Sequence, residues 1–423
     1  MKNVHQRSRF ERFTALMVAG AFFWSFLLAP PMLAAAAVAQ RQRALAVKPH
    51  FPGFRLLSPK EMARIWGASS LSPSPQPVAA DGAAYPWQNE VAGVNTANGN
   101  KLTSIPLVSW TARGGLTVDF TLYHNSLSTT SAELGPKWSQ TYDISLSFDS
   151  TGNATVTWGD GRRYTFTKNI NGTYTPPAGI YETLVANGSS YILTTHEQVA
   201  YTFTNPNGTA WVCTAFSDPN GNTVTINRNT GNQVTSVVDP SGRKLTLAYN
   251  SSGQIASLTD PLGRVWSFTY STSSGGGSGG GSGGTSGSSG SLSPNAVRPN
   301  SFQALSTGGG GVLTSITWPT LNNTNYSLQL AYNSTNDITT LTDLRGNKWQ
   351  FTYNSNDTLA SETDPLGNTT TFAYASGQTS VSDPNGHTST DTYDSSGRRI
   401  SHTDPTGAVT QYNWDASNNL TAV

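Results

Sequence analysis

A short motif, Asp-Pro-x-Gly, recurs in the second half of the chain at a nearly constant step. Within each of two groups, neighbouring copies are 21 residues apart, with one step of 19. A fixed period of about 20 to 50 residues is typical of repeat proteins, in which each unit buries its apolar face against its neighbours. The chain is therefore constrained to a repeat architecture. The copies, one of which has Leu in place of Pro, begin at Asp218, Asp239, Asp260, Asp343, Asp364, Asp383 and Asp404.

The motif predicts a tight turn with a distinct role for each residue. Proline sets φ at the second position of a type I turn, Asp accepts hydrogen bonds from free backbone amides, and Gly provides a left-handed exit. Because the complete motif occurs six times at the repeat step, we interpret it as a structural turn and not as a reactive site. The predicted turn residues are Asp218, Gly221, Asp239, Gly242, Asp260, Gly263, Asp364, Gly367, Asp383, Gly386, Asp404 and Gly407.

A large aromatic residue lies ten positions after the start of most repeats. The residue two positions earlier is also large and apolar in most copies, and both share one face of a strand. Four positions after the aromatic comes Asn, Gly or Asp in most copies, a residue that tolerates positive φ, which predicts a second turn. Each repeat is thus predicted to be two antiparallel strands, with the aromatics in the core and not on a sugar-binding surface. The repeat aromatics are Tyr249, Tyr270, Tyr332, Tyr353, Tyr374, Tyr393 and Trp414.

The repeat rhythm is interrupted once. Asn322 occupies the position of a missing Asp and lies 41 residues later than an unbroken period would place it. Most of the inserted sequence is the Gly/Ser-rich segment 272–311, whose composition cannot bury apolar surface and is typical of a flexible, disordered loop. We therefore assign repeats to 218–271 and to 312–423.

The segment 89–217 lacks the 21-residue period but contains many strand signals. Residues 116–123 alternate apolar and polar side chains, as a half-buried strand does. Asp160-Gly161 lies between two alternating runs, which is a strong hairpin signal. We predict an N-terminal all-β domain here, followed by an open antiparallel β-ribbon of repeats that forms a spiral wall. The predicted fold class of the chain is all-β.

The first 39 residues have the layout of a secretory signal. Basic residues up to Arg12 precede an apolar run at 15–29, and small residues lead to a cleavage site near Ala39. We predict export to the cell surface or the medium; the alternative is an uncleaved membrane anchor formed by residues 15–29. Residues 40–88 are rich in Ala, Pro and Ser, which predicts an extended tether with one short helix near 59–66.

Composition argues against several classes of function. Charged residues make up 12% of the chain, with 25 basic against 24 acidic, so no electrostatic argument supports a nucleic acid or an anionic membrane as partner. The single cysteine, Cys213, lies in a predicted strand and is interpreted as a packed thiol. His387 and His402 have no further ligand at metal-binding spacing. We expect no catalytic residues, no cofactor and no metal.

Several motifs resemble a known family. Tyr393 to Ile400, YDSSGRRI, followed by Asp-Pro-Thr-Gly at 404–407, closely resembles the tyrosine-aspartate (YD) repeat of Rhs proteins, which also occurs in teneurins and in the C subunits of insecticidal toxin complexes. Upstream, VNTANGN (94–100), LGPKWS (134–139) and WGDGR (158–162) are similar to the domain that precedes the repeats in bacterial Rhs proteins. The resemblance covers 89–423 apart from the Gly/Ser insert.

The resemblance implies a β-sheet that spirals into a hollow shell around a C-terminal toxin or effector, which is released by self-cleavage near the end of the repeats. The array stops at Val423, two residues before the next expected Asp, and no cleavage core follows. We therefore expect a truncated member, whose last strand is covered by further repeats or by a partner.

Two hypotheses of function follow. The first is a secreted, non-enzymatic structural protein that encapsulates or presents a toxin or effector cargo. The alternative is an exported adhesin that binds a cell-surface glycan through outward-facing aromatics, of which Trp211, Trp318 and Trp349 are the first to test; for Trp349 the alternative is a place in the core.

Overall fold

The computed structural model describes residues 81–271, 311–321 and 323–423. The predicted signal peptide, most of the tether with its short helix, nearly all of the Gly/Ser insert, and Asn322 lie outside the described residues. Within the described ranges the fold is all-β, as predicted, with one short 3₁₀ helix at Arg113–Gly115. No helix in these ranges has the length and hydrophobicity needed to cross a membrane.

The strands of the described ranges are short and follow one another closely. They are β1 (Glu90–Val91), β2 (Val94–Asn95), β3 (Leu102–Thr111), β4 (Thr117–Asn125), β5 (Ser131–Ala132), β6 (Gly135–Pro136), β7 (Trp138–Gln140), β8 (Ser145–Phe148), β9 (Ala154–Thr157), β10 (Arg163–Lys168), β11 (Tyr174–Thr175), β12 (Thr183–Asn187), β13 (Ser190–Thr194), β14 (Ala200–Thr204), β15 (Trp211–Ser217), β16 (Thr223–Arg228), β17 (Val234–Val238), β18 (Lys244–Tyr249), β19 (Ile255–Thr259), β20 (Val265–Tyr270), β21 (Leu313–Thr317), β22 (Ser327–Tyr332), β23 (Ile338–Thr342), β24 (Lys348–Tyr353), β25 (Leu359–Thr363), β26 (Thr369–Ala375), β27 (Gln378–Ser382), β28 (Thr388–Tyr393), β29 (Arg399–Thr403), β30 (Val409–Gln411), β31 (Asn413–Trp414) and β32 (Leu420–Ala422).

Each strand from β12 to β29 pairs antiparallel with the next strand in the chain. The two strands on either side of the Gly/Ser insert follow the same rule, since Phe268 of β20 lies opposite Ile316 of β21. The repeats therefore form one continuous antiparallel sheet, which confirms the predicted fold class.

Strand β15 has a further partner. Its first two residues pair with β8, with Trp211 opposite Leu146, while its last residues pair with β16. Because the sheet order also runs through β8, β9, β10 and on to β15, the strands from β8 to β15 close on themselves. The repeat sheet thus begins from a ring of strands within the N-terminal domain.

One face of the repeat sheet forms the core. In β18, Leu245 and Leu247 are 0% and 5% exposed, and Trp266 and Phe268 of β20 take the equivalent positions and are also buried. Burying a side chain of this size contributes about 1.5–3 kcal/mol. The same core includes Phe120 of β4, which pairs with β3 and β7 in a separate three-stranded sheet. The N-terminal domain therefore packs on the apolar face of the repeats.

Candidate functional site

The aspartates that begin the repeats organise a tight turn. Asp239 Oδ1 accepts hydrogen bonds from the amides of Ser241 (2.8 Å) and Arg243 (2.9 Å), and Oδ2 accepts one from Arg243 Nε (2.6 Å). The same pair of amide bonds, from the second and fourth residues after the aspartate, occurs at Asp218, Asp260, Asp364, Asp383 and Asp404. The turn glycines have φ of 81° at Gly221, 83° at Gly242, 77° at Gly263, 88° at Gly367, 84° at Gly386 and 88° at Gly407.

At Asp404 and Asp218 these bonds favour the ionised form of the carboxyl group. Hydrogen bonds from the side chain of Thr406 and the amide of Ala408 lower the pKa of Asp404. The side chain of Asn222 has the same effect on the pKa of Asp218. Hydrogen bonds to the charged form of a carboxyl favour that form. The aspartates are thus used by the backbone of their own turns.

The second turn of most repeats has the same geometry. Asp394 Oδ1 accepts the amides of Ser396 and Arg398, both at 2.9 Å, and Asn250 Oδ1 accepts those of Ser252 and Gln254. The residue three positions after the Asn or Asp is left-handed, with φ of 65° at Asn232, 74° at Gly253, 62° at Asp357, 71° at Gly397 and 59° at Asn418. Most hairpins are therefore closed at both ends by one type of turn. The hairpin of β26 and β27 differs, because Ala375 pairs directly with Gln378 across a two-residue turn.

Most repeat aromatics reach back to the strand before their own. Tyr353 OH donates to the carbonyl of Ile338, the first residue of β23, at 3.0 Å. Burial raises the pKa of Tyr353, so the phenol stays protonated and remains a donor. The hydroxyl groups of these tyrosines thus bond to the backbone of the sheet itself. The equivalent bonds join Tyr249 to Val234, Tyr270 to Ile255, Tyr332 to Leu313, Tyr374 to Leu359, and the indole N–H of Trp414 to Arg399.

Two repeats depart from this pattern at buried polar residues. Arg228 occupies the aromatic position of the first repeat and donates to the carbonyls of Cys213 (3.2 Å), Asn232 (2.9 Å) and Tyr142 (2.7 Å). Tyr393 shares a 2.5 Å hydrogen bond with the hydroxyl of Thr96. Neither exception could be predicted from the sequence, because in both cases a partner lies in the N-terminal domain.

The N-terminal domain contacts separate repeats at the first residues of their strands. Residues 81–88, which we expected to belong to the tether, pack with this domain: Tyr85 is buried and its hydroxyl donates to the carbonyl of Arg163. Carbonyls at Glu133, Gly99 and Trp87 accept backbone amides from Ile255 (2.9 Å), Leu359 (3.2 Å) and Arg399 (2.9 Å), the first residues of β19, β25 and β29. These amides lie next to the left-handed turns, where the sheet ladder is interrupted by a bulge. The N-terminal domain thus satisfies backbone groups that the ladder leaves free.

The three tryptophans named as candidates for glycan binding are half-buried against the core, in agreement with the core alternative for Trp349. Trp211 belongs to an aromatic cluster with Phe148, Tyr174 and Tyr191, whose rings are 4.9 to 6.5 Å from their neighbours. Each ring lies beside one of four turns at the same end of the ring of strands, at 149–153, 169–173, 187–190 and 205–210. Trp211 is only partly exposed, because the pairing of β15 with β8 places it beside buried Leu146.

The titratable residues singled out in the sequence occupy separate places. Cys213 is fully buried, and burial raises the pKa of its thiol to about 12. His387 Nδ1 lies 3.1 Å from Asp383, in its own turn, whereas His402 Nδ1 lies 2.8 Å from Asp391 on the inner face. In the described part of the chain, no three Cys, His, Asp or Glu side chains group as metal ligands.

Two family models match the chain. A domain of unknown function (DUF6531) matches residues 92–166, within the N-terminal domain. The RHS Repeat model matches four segments, at 228–265, 249–275, 353–388 and 393–423. Comparison with curated proteins gives no match.

Solved structures give partial overlaps. A structure of TcdB2-TccC3 without its hypervariable C-terminal region matches with 9% identity and a TM-score of 0.30, over 76% of this chain and 21% of the other. The Photorhabdus luminescens Tc holotoxin pore with mutated TccC3 gives the same values. A porin-like protein from Bacteroides uniformis matches with 10% identity and a TM-score of 0.19, over 60% of this chain and 96% of the other. The chain spans about a fifth of the length of the two toxin-complex chains.

The four repeat matches coincide with the hairpins whose turns and aromatics are described above. The family assignment rests on these matches and on the all-β sheet that the repeats build. The chain belongs to the Rhs (YD-repeat) proteins.

Proposed function

We propose that this chain forms part of the wall of an exported shell that encloses or presents a toxin or effector cargo. The observation that carries the proposal is the unbroken series of strand pairings from β12 to β30. Each repeat adds one hairpin to the edge of the last, so the array grows as a continuous surface. A continuous surface is what the enclosure of a cargo requires.

The proposed role is structural and uses neither a catalytic residue nor a cofactor. The turn aspartates are occupied by the amides of their own turns, and the repeat tyrosines donate to strand carbonyls. The Cys213 thiol, with its pKa raised to about 12, is protonated at neutral pH and a poor nucleophile. These observations support a scaffold.

Export is part of the proposal and rests on the sequence of the first 39 residues. We propose that the signal is cleaved near Ala39 and that the N-terminal domain and repeats act outside the cytoplasm. N-terminal sequencing of protein from the medium and from the cell surface tests this. A mature protein that still begins at Met1 would favour anchoring by residues 15–29.

Protease protection tests the enclosure of cargo. The product of the complete native gene, including any segment encoded after Val423, is digested beside the same cargo segment produced alone. We expect the cargo within the complete protein to be digested much more slowly than the isolated cargo. Equal rates of digestion, or a reading frame that ends at codon 423, would contradict the enclosure.

A second candidate function, glycan binding, is favoured by the cluster of Phe148, Tyr174, Tyr191 and Trp211. All four rings are partly exposed. The neighbouring turns are rich in amide and hydroxyl side chains, such as Asn169, which donates to Thr173. Aromatic faces surrounded by hydrogen-bonding groups suit neutral polyhydroxylated ligands.

Retention on immobilised glycans tests this candidate. We expect Trp211→Ala to abolish retention and Trp318→Ala, outside the cluster, to leave it unchanged. Absence of retention for the wild-type protein on a broad set of glycans, or equal loss in both variants, would argue against binding at this cluster.

A further inference from the structure

Lys137 of the N-terminal domain lies between two carboxylates of the repeats. Its Nζ is 2.7 Å from Asp337 Oδ1 and 3.0 Å from Asp357 Oδ2. Asp337 ends the turn before β23, and Asp357 occupies the equivalent turn one repeat later. Distant parts of the chain thus bring one amine into contact with two carboxyl groups.

The amine and its first partner are nearly excluded from water. The side chain of Asp337 is 0% exposed and that of Lys137 is 9% exposed, whereas Asp357 is 29% exposed. Burial raises the pKa of the Asp337 carboxyl. Removing a carboxyl group from water favours its neutral acid form, although the ion pair with Lys137 opposes that change.

Aromatic side chains and hydrogen bonds fix the geometry of this site. Trp138, the neighbour of Lys137, is 1% exposed and donates its indole N–H to Tyr332 OH at 3.0 Å. His124 is packed edge-on against Trp138 and contacts the carbonyl of Asn336, the residue before Asp337. The carboxyl itself is oriented by the hydroxyl of Thr335, which donates to its Oδ2 at 2.8 Å.

The backbone restricts two of the three residues further. Lys137 has φ of 64° and Asp357 has φ of 62°, both in the left-handed region. The amide of Lys137 donates to Thr130 and its carbonyl accepts from Asn125, so the strained residue is held from both sides. Such conformations persist only where the surroundings determine them, and they concentrate at sites with a function.

We propose that Lys137 and Asp337 form an intramolecular isopeptide bond, with Asp357 as the proton carrier. The Nζ–Cγ bond forms and the Cγ–Oδ1 bond of Asp337 breaks. The two protons that the ammonium loses leave with Oδ1 as one water molecule, and Asp357 takes up one of them from Nζ and delivers it to Oδ1. No oxidant, metal or cofactor is consumed, and the charge of Asp357 is the same before and after. Two reactive groups that the fold holds at contact distance react far faster than the same groups do when they are separate in solution.

A second buried lysine shows what distinguishes this site. Lys101 also contacts a repeat carboxylate, Glu362, at 2.7 Å, and its Nζ donates in addition to the carbonyl of Ala92. Within the described ranges, Glu362 is the one carboxylate in ion-pair contact with Lys101. Without a second carboxyl in contact to carry the proton, we expect the Lys101 pair to remain ionic.

The bond would join the N-terminal domain permanently to the repeat sheet. It would close a covalent loop of about 200 residues, because Lys137 and Asp337 are that far apart in sequence. The hydrogen bonds from the N-terminal domain to β19, β25 and β29 would then persist under conditions that separate non-covalent contacts. The exported protein would thus gain a covalent crosslink that neither reducing agents nor salt can break.

Mass spectrometry of the purified, folded chain tests the proposal. We expect the intact mass to be lower than that of the sequence by one water molecule, and a digest to yield a branched peptide that contains Lys137 and Asp337. Lys137→Arg keeps the positive charge but is expected to show the full mass. Lys101→Arg, the matched control, is expected to retain the branched peptide.

Asp357→Asn separates the role of the proton carrier from that of folding. Asn tolerates positive φ and preserves the shape of the side chain, so we expect a folded variant in which the branched peptide is lost or forms much more slowly. A folded wild-type protein with the full unmodified mass after prolonged incubation would overturn the proposal. So would a water loss located at other residues, or unchanged bond formation in Asp357→Asn.

Discussion

Replacing Tyr374 with Phe tests whether the repeat hydroxyls hold neighbouring strands together. Tyr374 OH donates to the carbonyl of Leu359 at 2.8 Å, and Leu359 is 0% exposed. Phe keeps the ring and its packing and removes only the hydroxyl. The amide of Leu359 keeps its own bond to the Gly99 carbonyl. The substitution therefore isolates one bond between two strands of the sheet.

The expected loss can be worked out from the burial of the acceptor. A typical internal hydrogen bond contributes about 0.5–1.5 kcal/mol, and a buried polar group left without a partner costs about 1–3 kcal/mol. Water has little access to the Leu359 carbonyl, so we expect the free energy of unfolding to fall by about 1–2 kcal/mol. Each kcal/mol corresponds to a decrease in Tm of about 2–4 °C for a domain of 150–250 residues, and to a smaller decrease for a larger one such as this.

Urea unfolding followed by tryptophan fluorescence measures this difference. Tyr326→Phe is the matched control, because Tyr326 is 41% exposed. We expect the free energy of unfolding of the control to remain within about 0.5 kcal/mol of the wild-type value. Equal midpoints for both variants would refute the reasoning that the hydroxyl bonds stabilise the sheet.

Substitutions at three further positions test other parts of the fold. Gly397→Val is expected to destabilise by roughly 1–2 kcal/mol, because a β-branched residue is strained at φ of 71°; Gly397→Asn should be nearly neutral, and equal melting of both would contradict the turn geometry. Arg228→Met is expected to lower the free energy of unfolding by about 3 kcal/mol or more, because three buried carbonyls lose their donor. A smaller loss, measured by urea unfolding, would show that water replaces the guanidinium group as the donor. His124 has its pKa lowered by burial to about 3, so its contribution is complete above pH 6.5 and is lost as the pH falls from 6.5 towards 3. His124→Gln should flatten the pH dependence of stability over that range, and an unchanged profile would exclude His124 as its cause.

The repeat hairpins could be predicted from the sequence because their signals are local. Asp and Gly three positions apart determine a turn, and alternate apolar residues such as Leu245 and Leu247 determine which face is buried. Both signals lie within a few residues of the structure that they specify. Repetition then fixes the order of strands, since each hairpin can bury its face only against the next one.

The remaining features could not be predicted because they depend on residues far apart in the chain. The closure of the ring of strands requires Trp211 to lie beside Leu146, and no period links the two. Arg228 in a position that is otherwise aromatic makes sense only when the carbonyl of Tyr142 is known to lie beside it. The contact of Lys137 with Asp337 likewise joins a domain without repeats to one particular repeat.

The contacts of the N-terminal domain change how the repeat array should respond to stress. In a simple repeat protein each unit contacts only its neighbours, so stability is a sum of local terms and the ends can fray. Here Glu133, Gly99 and Trp87 bond to β19, β25 and β29, so separate repeats share one partner. Loss of one hairpin would expose the N-terminal domain and weaken its bonds to the others. We therefore expect the repeats and the N-terminal domain to unfold together in one cooperative transition, because the N-terminal domain links repeats that do not contact one another.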